Sequence, residues 1–332
     1  MKVLRASIRT SFFFTAAVTA LLILSSTAWS QTVRQHSKIS PTGKGYGVED
    51  DNAPDEQLAE SGTLAPSVTT GNGISYHGGR VMKANPVNVY FIWYGDWSNG
   101  ARASDSSSTV NLLEDLFSST GLNNSGYERI NTTYGDTSGN VSGSLVRKAS
   151  IYDNYSHGTS LSDSEVKAVV SNAITSGKLP KTSNGIYFVL SSSDVRETSG
   201  FCTRYCGWHN HASISGSDIK YAFVGNPDRC PSACEAQTSS PNADSGADGM
   251  ASIMAHESEE ATSDPDLNAW YDSSGEENAD KCAWKFGPLQ TASNGSKYNM
   301  TLANHHWLIQ MNWENARGGG CDLTLGGKFY SR

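Results

Sequence analysis

Positive charge is in short supply in this chain. Its 332 residues hold 25 Lys and Arg against 33 Asp and Glu. Three of those cations, Lys2, Arg5 and Arg9, fall in the first 30 residues with no acid beside them, so the rest carries 22 against 33. A surface so acidic cannot neutralise a row of phosphates, which excludes nucleic acid and anionic membranes as electrostatic partners. Long hydrophobic runs are lacking too. Ser11 to Ser25 is apolar but shorter than the ~20 residues a spanning helix needs. With the basic stretch before it and Ala28-Trp29-Ser30 after it, residues 1–30 read as a cleavable signal peptide, with no membrane anchor left after cleavage. Large apolar residues are sparse between 31 and 73, where Ser, Thr, Gly, Asp and Pro dominate. Such a segment buries too little surface to offset its ordering entropy and reads as a disordered linker or pro-segment. No internal repeat is visible. Residues 74–332 have the length of one mixed domain.

Within that span, strand-like and helix-like segments interleave. Val87 to Tyr94, Gly185 to Leu190 and Lys220 to Val224 are runs rich in β-branched and aromatic residues, hence buried strands. Val110 to Phe117 and Leu161 to Ile174 have helical spacing, the second opened by Ser162-Asp163 and stopped near Gly177. A third helix runs from Gly249 to Thr262, with Asp248 as its N-cap and Pro265 ending it. Trp307 to Trp313 is a last apolar element of undefined type. This order suits an α/β fold with a mixed sheet.

Six cysteines in a secreted chain point to three disulfides. Cys282–Cys321 is the pairing we expect, because closing a long loop gains most in the chain-entropy model. The pairing of Cys202, Cys206, Cys230 and Cys234 stays open, and with His209 and His211 near them a structural zinc is the alternative. Sequons at Asn123, Asn131, Asn140, Asn154, Asn294 and Asn299 mark surface loops. His77, His209, His305 and His306 read as packing or surface residues.

The chemistry concentrates in His256-Glu257-Ser258-Glu259-Glu260. Residues four apart share a helix face, so His256 and Glu260 point the same way as two ligands of a metal clamp. Glu257 stands where the general base stands in an H-E-x-x-H metallohydrolase, while Glu260 replaces the second histidine. Glu259 is expected to face solvent.

Further residues carry a resemblance. Tyr76-His77-Gly78-Gly79, Ile92-Trp93-Tyr94-Gly95-Asp96-Trp97, Cys206-Gly207-Trp208-His209, Tyr221 to Asn226, Asp248-Gly249-Met250 and Asn268-Ala269-Trp270-Tyr271 occur in this order. The series resembles the EXORDIUM-like (phosphate-induced protein) family from about Ser75 to Cys321. That resemblance implies a secreted protein of the cell wall or apoplast, linked in plants to growth control, without an established chemistry. The stretch Gly275-Glu276-Glu277-Asn278-Ala279-Asp280-Lys281-Cys282 also resembles secreted zincin-like proteins, in which a downstream acid is the third metal ligand. On that pattern Glu277 is the third ligand, with Glu276 and Asp266 as alternatives.

The resulting expectation is a single zincin-like α/β domain, stabilised by disulfides, with a metal-site helix. It would be a secreted metal-dependent hydrolase, a peptidase that takes an extracellular peptide. His256, Glu260 and Glu277 would hold Zn²⁺, Glu257 would act as base, and His209 or Tyr271 would stabilise an oxyanion. So many carboxylates also suit a structural ion, Ca²⁺ among them. The competing reading is a non-catalytic extracellular protein that binds a cell-wall polymer or partner through a degenerate metal site. A glycan-active enzyme lacks an identifiable carboxylate pair.

Overall fold

A computed structural model describes residues 72–98, 100 and 102–329. The signal-peptide reading for 1–30 and nearly all of the linker reading for 31–73 lie outside the described residues.

Five strands form the main sheet: β1 (Val87–Tyr94), β2 (Leu145–Asp153), β3 (Gly185–Ser191), β4 (Gly207–Ile214) and β5 (Ser217–Gly225). Their order across the sheet is β2-β1-β3-β5-β4. All neighbours are parallel except β5 and β4, which form an antiparallel pair at one edge. The sheet is therefore mixed. The central strands β1 and β3 are buried on both faces, which is why they read as continuous apolar runs. The outer strands β2 and β4 alternate with polar residues, and neither stood out in the sequence.

Three longer helices accompany the sheet: α1 (Ser107–Leu116), α2 (Asp163–Thr175) and α3 (Ser245–Ser263). Ser162 and Glu165 close a capping box at the start of α2. α3 packs against β4, β5 and α1. It starts four residues before the expected Gly249. Its N-cap is Asp244, whose side chain accepts from the Ala247 amide at 2.9 Å; Asp248 already lies in the first turn and instead bonds Ser240 and Asn242. Gly246 and Gly249 serve close packing. A Cβ on Gly246 would lie 2.3 Å from Ser104 Oγ, and one on Gly249 2.8 Å from Pro227 Cγ.

α3 is buried on nearly every side. One flank meets the core around the sheet, and the other meets a second cluster built on Tyr134, Trp270, Met311 and Trp313. Glu259 is therefore fully buried and not solvent-facing; its Oε2 accepts from Asn312 Nδ2 at 2.6 Å. Asn131 is no surface sequon either, since it is buried and donates to the Glu259 carbonyl and to Thr262. Trp307 to Trp313 splits into the strands His305–Trp307 and Asn312–Glu314, because Gln310 between them is pinned to Ser252 of α3.

The six cysteines form three disulfides, Cys202–Cys230, Cys206–Cys234 and Cys282–Cys321. No free thiol remains to hold a structural zinc among the described residues. Cys206 immediately precedes β4, and Cys282 ends the short turn Asp280–Cys282. No helix of the described residues is long and apolar enough to cross a membrane.

Candidate metal centre

Helical geometry stacks His256 and Glu260 one turn apart on α3. His256 Nε2 is 2.7 Å from Glu260 Oε1. The loop after α3 adds Asp280, whose Oδ1 lies 3.4 Å from His256 Nε2 and whose amide donates to Glu260 Oε1 at 3.1 Å. From the sheet comes His209, the third residue of β4. Its Nε2 is 3.1 and 3.3 Å from the two Glu277 carboxyl oxygens, and 3.9 Å from Glu260 Oε2. Glu260 is thus shared by two groups, His256–Glu260–Asp280 and His209–Glu260–Glu277. The ligand-capable atoms of each group lie within 4.8 Å of one another.

Glu257 lies beside these groups with a different environment. Both of its carboxyl oxygens are buried and lack a hydrogen-bond partner. It is held over β4 because that strand begins with glycine. A Cβ on Gly207 would sit 2.6 Å from Ile253 Cγ2 and 3.1 Å from Glu257 Oε1, so only glycine lets α3 come this close.

Burial governs the electrostatics. His209, His256, Glu257, Glu260 and Glu277 are each at most 2% exposed, and the Asp280 side chain is 16% exposed. Desolvation lowers His256, but Glu260 and Asp280 outweigh it and carry the imidazolium up to about 10. His209 lacks comparable support, and burial takes it down to about 3. Burial and the Glu260 carboxylate push Glu257 and Glu277 well above the carboxylate range, and burial with Asp280 lifts Glu260 to about 7. The His209–Glu277 contact has the spacing of an ion pair, but these shifts make it a hydrogen bond between neutral partners. Three buried glutamates, Glu257, Glu260 and Glu277, are pushed toward holding protons that a cation would displace.

The comparisons with known proteins bear on the same region. The model of the phosphate-induced protein 1 conserved region matches residues 74–321, which take in every member of the cluster. The chain belongs to the phosphate-induced protein 1 family. It is 33% identical over 224 residues to Protein EXORDIUM-like 5 of Arabidopsis thaliana, covering 60% of this chain and 59% of that protein. Against Protein EXORDIUM-like 3 of the same plant it is 30% identical over 278 residues, covering 73% and 80%. Protein PHOSPHATE-INDUCED 1 of Nicotiana tabacum is 27% identical over 219 residues, covering 60% and 67%. The match thus spans less than two thirds of EXORDIUM-like 5. No solved structure matches.

In this family member the sequence-derived residues are distributed as follows. His256 and Glu260 stand together, but Glu277 is grouped with Glu260 and His209 and not with His256, so the expected trio is divided between the two groups. Glu276 is exposed outside the cluster. Asp266 belongs to a neighbouring ion-pair network, with Lys220 at 2.5 Å and His211 at 3.9 Å. Tyr271 stacks on His77, ring centroids 3.6 Å apart. His305 and His306 engage Asp115 and Thr301, away from the site. Two members were not expected as ligands of this centre, His209 having been weighed as a ligand only of a structural zinc beside the cysteines. Asp280 was legible only through its spacing from Glu276 and Glu277 in the stretch before Cys282. His209 was hidden on an edge strand whose alternation of His209 and His211 on one face was the available signal.

Proposed function

We propose that this chain is an extracellular hydrolase that depends on a divalent cation held at Glu260, and that it acts on peptides. Imidazole and carboxylate donors grouped at Glu260 suit zinc or a similar transition ion. Calcium fits less well, because it takes oxygen ligands and each group here contains an imidazole nitrogen. A cation there supplies Lewis-acid polarisation of a carbonyl and an acidified water. Glu257 is the base that accepts the proton of the attacking water, and Glu260 with His256 fixes the geometry around it.

Glu257 carries this reading. A purely structural site has no use for a fully buried carboxylate with both oxygens unpartnered beside the ligands. A peptide is the favoured substrate class because, among the described residues, β4 pairs with β5 alone. Its outer edge, next to His209, offers backbone groups to an added strand. Three disulfides support the extracellular placement.

The burial of the cluster favours a second reading, a non-catalytic extracellular protein with a structural ion. One experiment separates the two. The purified chain is stripped with a chelator, reloaded with zinc, and incubated with a mixed peptide library. Cleavage by wild type that falls ~10²–10⁴-fold in Glu257→Gln, with zinc still bound, supports the hydrolase. Zinc binding without cleavage by wild type leaves the structural-ion reading, and no zinc binding ends both.

A further inference from the structure

We propose that the cluster is a dinuclear centre. One divalent cation would lie among His256, Glu260 and Asp280, a second among His209, Glu260 and Glu277, with the Glu260 carboxylate bridging them. This deepens the proposed function and rests on its metal site.

The two carboxyl oxygens of Glu260 face different partners. Oε1 is the atom near His256 and the Asp280 amide, while Oε2 is the atom turned to His209. Each half contains one imidazole Nε2 and one terminal carboxyl besides the shared Glu260. Ligands about 2.0–2.2 Å from an ion in tetrahedral array stand ~3.3–3.6 Å apart. The spacings here, 2.7 and 3.4 Å in one half and 3.1 and 3.9 Å in the other, straddle that value. Neither half is an arrangement of surface acids, because all but Asp280 are at most 2% exposed.

The composition of the cluster is consistent with two ions. Glu257, Glu260, Glu277 and Asp280 are four carboxylates around two imidazoles. None of the three glutamates has a lysine or arginine partner among the described residues. A mononuclear site of His256, Glu260 and Asp280 would leave the buried His209–Glu277 pair without a purpose. Unmet polar atoms also border the cluster, since His209 Nδ1 and both Glu257 oxygens are buried with no hydrogen-bond partner.

Metal stoichiometry tests the proposal. The full chain is stripped with a chelator, reloaded with zinc, gel-filtered and assayed by elemental mass spectrometry against protein concentration. We expect two zinc ions per chain in wild type and one in His209→Ala. Glu277→Gln, which preserves shape, should also fall to one and decides the matter if the histidine variant does not fold. One zinc in wild type overturns the dinuclear centre but leaves the proposed hydrolase standing, and no zinc removes both. Two zinc ions in wild type that persist in Glu277→Gln also overturn it, because the second ion then lies elsewhere.

Discussion

Glu259 shows how a single residue can mislead. Its neighbours on the helix, His256, Glu257 and Glu260, point toward β4 and the loop before Cys282, and an acid on the remaining face of a helix is normally solvated. Here that face is covered by the segments that carry Asn131 and Asn312, and Glu259 lies against another buried acid, Glu128. No periodicity in the sequence announces this, because the covering residues come from the distant segments 131 and 312. The pair has a testable consequence. Burial lifts Glu128 to about 8, above the value near 4.5 it has when unfolded. An acid with a raised folded pKa binds more protons in the folded state. Its contribution is complete in acid and is lost as pH climbs from ~4.5 through about 8. Glu128→Gln removes the titrating group with little change of shape. At pH 9 the variant should melt higher than wild type by a few degrees, since ~1 kcal/mol moves a chain of this size by about 2–4 °C. At pH 5 the two should melt alike. Thermal unfolding followed by circular dichroism at both pH values checks this, and an equal gap at the two would remove Glu128 as the cause.

At the scale of elements, the legible parts are those whose signal is local. β1 and β3 are continuous apolar runs, and α2 carries its own capping box, so each could be read without knowing its neighbours. β4 could not. It is half polar, follows a cysteine pair, and owes its identity to eight register contacts with β5. The site suffered accordingly: its α3 half was legible and its β4 half was not. The start of α3 was missed because Asp248 and Asp244 are both good cap residues, and only the tertiary contacts of Asp248 with Ser240 and Asn242 tell them apart. Asp244 and Asp248 therefore make different predictions. Asp244 caps the helix and also accepts from Thr109 Oγ1 at 2.5 Å. Asp244→Ala should lower stability by about 1 kcal/mol, within the 0.5–2 kcal/mol range of lost caps. Asp248 holds no cap, and burial raises it to about 7. Asp248→Asn should therefore leave helix content unchanged and gain stability relative to wild type as pH rises from ~4 through about 7. Urea titrations of both variants at pH 6 and pH 8 distinguish them. A larger loss from Asp248→Asn than from Asp244→Ala would return the cap to position 248.

Across the whole molecule, the site is assembled from three stretches of chain far apart in sequence: β4, α3 and the segment ending at Cys282. The disulfides tie down two of these. Cys206–Cys234 anchors the start of β4, and Cys282–Cys321 anchors the segment that supplies Glu277 and Asp280. The Cys282–Cys321 bridge spans 39 residues, for which the chain-entropy model gives ~4 kcal/mol of stabilisation. Its loss should do more than destabilise. With the bridge gone, the loop holding Asp280 and Glu277 must be ordered at the expense of cation binding, so affinity and stability become coupled. A cation that binds only the folded state adds about 2.7 kcal/mol at 100 times its Kd. Zinc should therefore raise the melting temperature of the wild type, and chelation should lower it. In the double variant Cys282→Ser/Cys321→Ser the melting temperature without zinc should drop by the equivalent of ~2–4 kcal/mol. The zinc concentration giving half the maximal rise should also shift upward, by about tenfold for each 1.4 kcal/mol of ordering moved onto the binding step. Melting curves across a zinc series in both proteins measure the two effects separately. A lower melting temperature with an unchanged zinc midpoint would mean that the bridge supports the fold without shaping the cluster.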